Sequence, residues 1–319
     1  MRRSIQLLAS GAMLALALAP LRAQETPADP NKTWDIKAKF AVGDLLRYTM
    51  RMNMTMEMTT PSGASPLQGP QEMTTAADLK YKTVGIKPDG TAVVVLQTEN
   101  NKTTLAGNEI PVPETPPITM EIDSHGVGKM RGLENLPGGQ AFAQLLNMNR
   151  MPTMGVVLPD HPVKVGDNWG TTLDSPMGKI KMDCTLLGTE TVGGTDTLRI
   201  KMVTSVPLDM KMGAAGAPVT DAAKAMMVMT GSVVSNAVFN ILPENARIVK
   251  MAGDLTSAIK MEMKGDAASQ SPFGSEMNMK MGGKMQMNLV SVGKVPAAAA
   301  PSKPSTGAPA KPAAPAKKL

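Results

Sequence analysis

Five methionines occupy alternate positions in YTMRMNMTMEMTT: Met50, Met52, Met54, Met56 and Met58. A thioether is a soft, neutral, polarizable group. Such a ladder can select Cu(I) or Ag(I), be consumed by oxidants as sulfoxide, or fill irregular apolar space with unbranched side chains. More thioethers alternate at Met261 and Met263, at Met277, Met279 and Met281, and at Met285 and Met287. As a soft-metal site, the candidate ligands are Met50, Met52, Met54, Met277, Met279 and Met281. As an apolar wall, all of these methionines line a core, or a cavity that holds a lipid or another apolar small molecule. The wall accounts for more of the pattern. A metal takes a few ligands, whereas these methionines spread over several segments and share their parity with Leu, Ile and Val. A Cu(I)- or Ag(I)-binding protein is the alternative.

The rest of the chain offers little reactive chemistry. There are two histidines, His125 in DSHG and His161 in PDHPV. Neither belongs to a metal or nucleophile motif, and both read as polar turn residues. No GxSxG elbow, HExxH, P-loop or dinucleotide fingerprint occurs. GVGKMRG, from Gly126 to Gly132, lacks the strand–loop–helix setting of a phosphate cradle and reads as a turn into a strand. Asp44 and Asp167 each follow a glycine. A carboxylate there can ligate a cation, but in a turn it more often bonds its own backbone. Cys184 is the single cysteine, which excludes an internal disulfide framework. It shares parity with Met182 and Leu186, so it is expected to face the apolar side as a small hydrophobe rather than as a reactive thiol. These features point to a non-catalytic protein with no cofactor.

The elements that must carry the methionines are strands. Between them stand Thr49, Arg51, Asn53, Thr55 and Glu57, so one side of the backbone is thioether and the other polar. Successive strand side chains point to opposite faces, and this alternation marks a half-buried antiparallel strand. Ile180, Met182, Cys184 and Leu186 repeat it, as do Leu198, Ile200 and Met202. KPDGT (Lys87 to Thr91), VGGT (Val192 to Thr195) and DSHG (Asp123 to Gly126) supply turns. Gly282-Gly283 reads as a bulge or tight bend. Gly138 to Asn149 and Val219 to Met229 read as short helices.

The chain also echoes itself. FAVGDLLRY at Phe40 and PVKVGDNWG at Pro162 both carry a Val-Gly-Asp turn, and Gly43 and Gly166 lie 123 positions apart. GKMRGLE at Gly128 echoes VKMAGDL at Val249, with Lys129 and Lys250 separated by 121. Two features in the same order at nearly one offset suggest a duplicated unit. The expected fold is mainly β: two related antiparallel, curved sheets, half-barrel or sandwich-like, with one or two short helices. The expected division is a leader at 1–23, a first β-rich repeat at 24–137, a linker with a short helix at 138–160, a second repeat at 161–295 and a tail at 296–319.

The ends bound the setting. Arg2 and Arg3 precede an apolar run from Ile5 to Ala19, of secretory-signal length, with Ala23 as the expected last residue removed. Residues 296–319 are mostly Ala, Pro, Ser and Lys without an aromatic or an acid, a composition that cannot offset the entropy of ordering. That tail is either a plain solvated extension or an arm for anionic envelope polymers. The net charge of +6 resides in these two ends, through Arg2, Arg3, Arg22, Lys303, Lys311, Lys317 and Lys318. Residues 24–295 are left near neutral, which argues against nucleic acid as a partner. The expected location is periplasmic or extracellular.

PDHPVKVGDNW (Pro159 to Trp169), FAVGDLLRY (Phe40 to Tyr48) and IDSHGVG (Ile122 to Gly128) together resemble an uncharacterised family of exported bacterial proteins. The resemblance covers most of residues 34–292. It implies an envelope location and no assigned activity. The expected build is also similar to that of periplasmic lipoprotein carriers, which hold acyl chains in a half-barrel.

Overall fold

The structure is a computed structural model that describes residues 32–60, 69–112, 115–131, 151–152, 155–175, 178–213, 226–264 and 275–295. These residues form strands β1 (Asp44–Thr59), β2 (Gln71–Ile86), β3 (Ala92–Leu105), β4 (Asn108–Ile110), β5 (Ile118–Ile122), β6 (Val127–Arg131) and β7 (Met151–Pro152). The second half supplies β8 (Asn168–Ser175), β9 (Gly178–Val192), β10 (Thr195–Met212), β11 (Met227–Ile241), β12 (Ile248–Met263) and β13 (Glu276–Lys294). Every pairing is antiparallel, and the order across the sheet is β7-β6-β5-β3-β2-β1-β13-β12-β11-β10-β9-β8, with β4 on β3. The mainly-β, curved antiparallel fold is as expected, with one refinement. The two strand runs do not form separate sheets. They join edge to edge, because β1, which begins the first run, pairs with β13, which ends the second.

No helix occurs among the described residues. The expected helix at Gly138 to Asn149 lies outside them, as does most of Val219 to Met229. Met227 to Met229, however, begin β11. There Met227 faces Met263 and Met212, and Met229 faces Met261 and Met210. Partners on both sides hold this stretch extended, and that outweighs the local preference of its alanine-rich approach. The leader and the tail also lie outside the described residues.

Most of the tight turns gather at one end of the strands, while Ala106 and Gly107 turn β3 into β4 at the other. Gly193 and Gly194 have φ of 58° and 81°, as a two-residue hairpin loop between twisted strands requires. In the DSHG turn, Asp123 Oδ1 accepts the backbone N–H groups of His125 (2.9 Å) and Val127 (3.0 Å). The two Val-Gly-Asp turns share one geometry. Asp44 Oδ2 accepts from Ala41 N (3.3 Å) and Asp167 Oδ2 from Lys164 N (2.9 Å). Both carboxylates thus bond backbone rather than standing ready for a cation.

At this turn end, two extended segments cross the sheet's apolar face. Residues 34–43 run from Val163, through Ser124 and Asn245, to Thr83, bonding backbone at each station. They tie the β5–β6 turn to the β11–β12 turn. The second segment, Val156 to Val163, packs beneath. Trp34, Ile36, Val156, Leu158 and Val163 join Leu186, Leu198, Ile200, Phe239 and Ile241 in one buried cluster. This is the main hydrophobic cluster, and it occupies the turn end; beyond it Leu208, Ile259 and Met277 are buried outside the cluster.

Gly282 and Gly283 make neither a bulge nor a bend. The ladder runs straight through them, Gly282 facing Thr55 and Gly283 facing Met54, and the irregularity in this pairing falls instead at Arg47/Tyr48. Glycine is needed at 283 because β1 approaches closely there. A Cβ on Gly283 would stand 2.5 Å from Asn53 O and 2.9 Å from Met54 Cα.

Candidate functional site

The register assigns every strand residue to a face. Tyr48 faces Leu79 and Leu289; Met50 faces Ala77 and Met287; Met287 in turn faces Met251, then Phe239, then Ile200. Followed across the sheet, all candidate methionines fall on one side: Met50 to Met58, Met261, Met263, Met277, Met279, Met281, Met285 and Met287. Met73, Met120, Met182, Met202, Met210, Met212, Met227 and Met229 share it. The opposite face carries Arg51, Glu57, Lys250, Lys260, Glu262, Lys280 and Lys284.

The apolar face has two regions. At the turn end, branched and aromatic side chains are sealed under the two crossing segments: Ile36, Leu186, Leu198, Ile200 and Ile241 are 0 % exposed. The core cluster reaches Met50 and Met285 and stops there. Beyond it, Met52, Met54, Met56, Met58, Met279 and Met281 are half-buried and belong to no core cluster. No described segment crosses the face in this region. Methionine therefore concentrates where the core ends. A chain using it only as filler would place it in the sealed half, where packing density must be highest.

The soft-metal set of the sequence reading is not assembled as a unit. Met277, Met279 and Met281 pair towards Met58 and Met56, whereas Met50 and Met52 face Met287 and Met285. Only Met54 is diagonal to Met281. The register instead builds cross-strand rows that no single segment reveals. Met277, Met261, Met229 and Met210 stand directly opposite one another on four successive strands.

Among these residues sits an orphan polar group. Ser257, between Met281 on β13 and Val233 on β11, is 7 % exposed, and its hydroxyl has no hydrogen-bond partner. Leaving a buried hydroxyl unsatisfied costs about 1–3 kcal/mol.

The turn end holds the strongest perturbations. Tyr48 Oη donates to Ile248 O at 3.0 Å, and its ring meets Tyr81 edge to face at 5.5 Å. Burial pushes the Tyr81 phenol up to about 12, and burial with help from Tyr81 raises Tyr48 too. Arg247 Nη2 stands 3.6 Å from Asp44 Oδ2 at the rim. The pocket these residues line encloses about 50 Å³, room for a few waters and too little for an acyl chain. Sequence reasoning missed Tyr48, Tyr81 and Arg247. The Tyr-Asp-Arg contacts join residues far apart in the chain, so only the Val-Gly-Asp echo hinted at this end.

Cys184 lies as expected beside Met202 and Trp169 on the apolar face, 1 % exposed, its Sγ 3.7 Å from Val157 O. Burial pushes its thiol up to about 12, which removes it as a nucleophile near neutral pH. His125 and His161 are turn residues. His161 Nδ1 bonds the neighbouring Asp160 at 2.7 Å in an exposed pair. Among the described residues no three His, Cys, Asp or Glu side chains converge as metal ligands, and no helix is long and apolar enough to cross a membrane.

No family model matches the chain, and no curated protein matches it. A solved structure described as lipid–protein interactions in lipovitellin overlaps 82 % of this chain and 26 % of its own, at 11 % identity and a TM-score of 0.42. The chain thus spans about a quarter of that protein's length. The similarity is too distant to carry function across.

Proposed function

We propose that this is an exported, non-catalytic binding protein that holds a lipid acyl chain, or a comparably apolar molecule, against the methionine half of its curved sheet. The observation that carries the reading is the division of the apolar face. Branched residues are sealed in a core at the turn end, and deformable thioethers are left half-buried beyond it. Met-lined surfaces adapt to occupants of varied shape. The unpartnered Ser257 hydroxyl on this face suits a ligand with an ester or carboxyl oxygen rather than a bare hydrocarbon. Export rests on the arginine-led apolar leader at 1–23, and the resemblance to exported bacterial proteins agrees with it.

The energetics are adequate. Each methylene removed from water contributes about 0.8 kcal/mol, so about a dozen give about 10 kcal/mol before association costs. Those costs are at least about 4 kcal/mol, which leaves at most about 6 kcal/mol, a Kd of about 40 μM at best.

Organic extraction of the purified full chain, followed by mass spectrometry, should recover a bound lipid. The delipidated protein should then bind a fluorescent fatty acid. Met54→Gln/Met56→Gln should weaken that binding about tenfold or more while the unfolding midpoint stays close to that of the parent. Folded protein that neither carries nor takes up an apolar molecule would overturn the proposal.

A further inference from the structure

At the far ends of β10 to β13 the apolar face is thioether alone. One row is Met210, Met229, Met261 and Met277; the next is Met212, Met227 and Met263. Closer to the core the same strands present Leu208 and Ile259, so packing on this face accepts branched side chains. At the strand ends every inward position of the two rows is a methionine. Met277 is buried and the other six are half-buried.

The charged groups on these strands face away. Lys260, on the opposite face, bonds Glu262 at 2.9 Å and Glu276 at 3.1 Å, and so clamps β12 to β13 directly behind Met261 and Met277. The pair joins the two strands on the polar face, so amine and carboxylate lie away from the thioether side. Neighbouring strands lie about 4.8 Å apart. Three rotatable bonds let thioethers from adjacent strands swing onto one centre.

From this arrangement we infer that the patch is a binding site for a soft monovalent cation, Cu(I) or Ag(I), held by thioethers from three or more adjacent strands with Met229 and Met261 at its middle. A ligand set of neutral sulfur alone favours soft ions and offers nothing to Zn²⁺, Mg²⁺ or Ca²⁺, which need imidazole, thiolate or oxygen. The inference does not depend on the lipid reading. Leucine in place of methionine keeps the apolar surface and removes the sulfur, so the two are separable.

The test is titration of the full chain with Ag(I) alone, read by native mass spectrometry, and anaerobically with Cu(I) against a chromogenic chelator. At least one ion per chain should bind. Met229→Leu/Met261→Leu should weaken binding about tenfold or more, with far-ultraviolet circular dichroism unchanged. Met50→Leu/Met54→Leu should leave metal affinity as it was. Absence of binding, binding that survives Met229→Leu/Met261→Leu, or equal loss in both variants would overturn the inference. Should the first variant fold poorly, X-ray absorption of Ag(I)-loaded selenomethionine protein decides. A selenium shell supports the site, and a shell of oxygen or nitrogen alone refutes it.

Discussion

The division of the apolar face into a sealed and a half-buried region can be measured as a difference in stability. Ile200 is 0 % exposed and faces Leu186 and Phe239, themselves 0 % and 3 % exposed. Ile200→Ala removes buried carbon and leaves a cavity that so tight a setting cannot close, at a cost of about 2–5 kcal/mol. Met56 and Met229 lie on the same face but are half-buried and outside the core cluster. Met→Ala at either leaves no closed void, so only part of the transfer term is lost, about 1 kcal/mol. Urea unfolding of delipidated protein is the assay, since bound ligand would itself shift the midpoint. With an m-value of about 3 kcal/mol/M, Ile200→Ala should lower the midpoint by about 1 M and the methionine variants by about 0.3 M. Equal losses would mean that the methionines are core. The reasoning from segregation to binding would then fail.

Two other outcomes follow from particular residues. Cys184 should resist a thiol reagent at pH 8 in the folded protein and react at once in denaturant, since burial holds its pKa near 12. The unfolded thiol loses its proton near pH 9 and the unfolded Tyr81 phenol near 10, while the folded groups keep theirs to about 12. The unfolded state therefore binds fewer protons in that window, and stability should fall as pH rises from 9 to 12, in a melting-temperature series. Gly283→Ala should destabilise markedly, because the new Cβ meets backbone at 2.5 Å, whereas Gly282→Ala, with nothing nearer than 4.0 Å, should be tolerated by the same urea assay.

Parity was legible in the sequence because a strand's side-chain period is two, and Met50 to Met58 keep it without a break. The hairpins at Lys87–Thr91 and Val192–Thr195 were legible because their glycines mark backbone that other residues avoid. The junction of β1 with β13 was not. It joins residues more than two hundred positions apart, and nothing local records such a pairing. The methionine rows share this origin, since each exists only through the register of three or four strands. The crossing segment around Val157 carries no strand period, and the one around Ile36 alternates without joining a strand ladder, so their part of the core escaped notice. Gly282-Gly283 was misjudged because sequence cannot separate glycine used to bend a chain from glycine used to admit a neighbour.

The seam between β1 and β13 also bears on how the molecule is made. The first long strand to leave the ribosome waits for the last one, with β2 as its sole early neighbour. Closing so large a loop is slow, and the sheet cannot be completed until Glu276 to Lys294 have been synthesised. A nascent chain therefore carries its central ladder unfinished until those residues emerge.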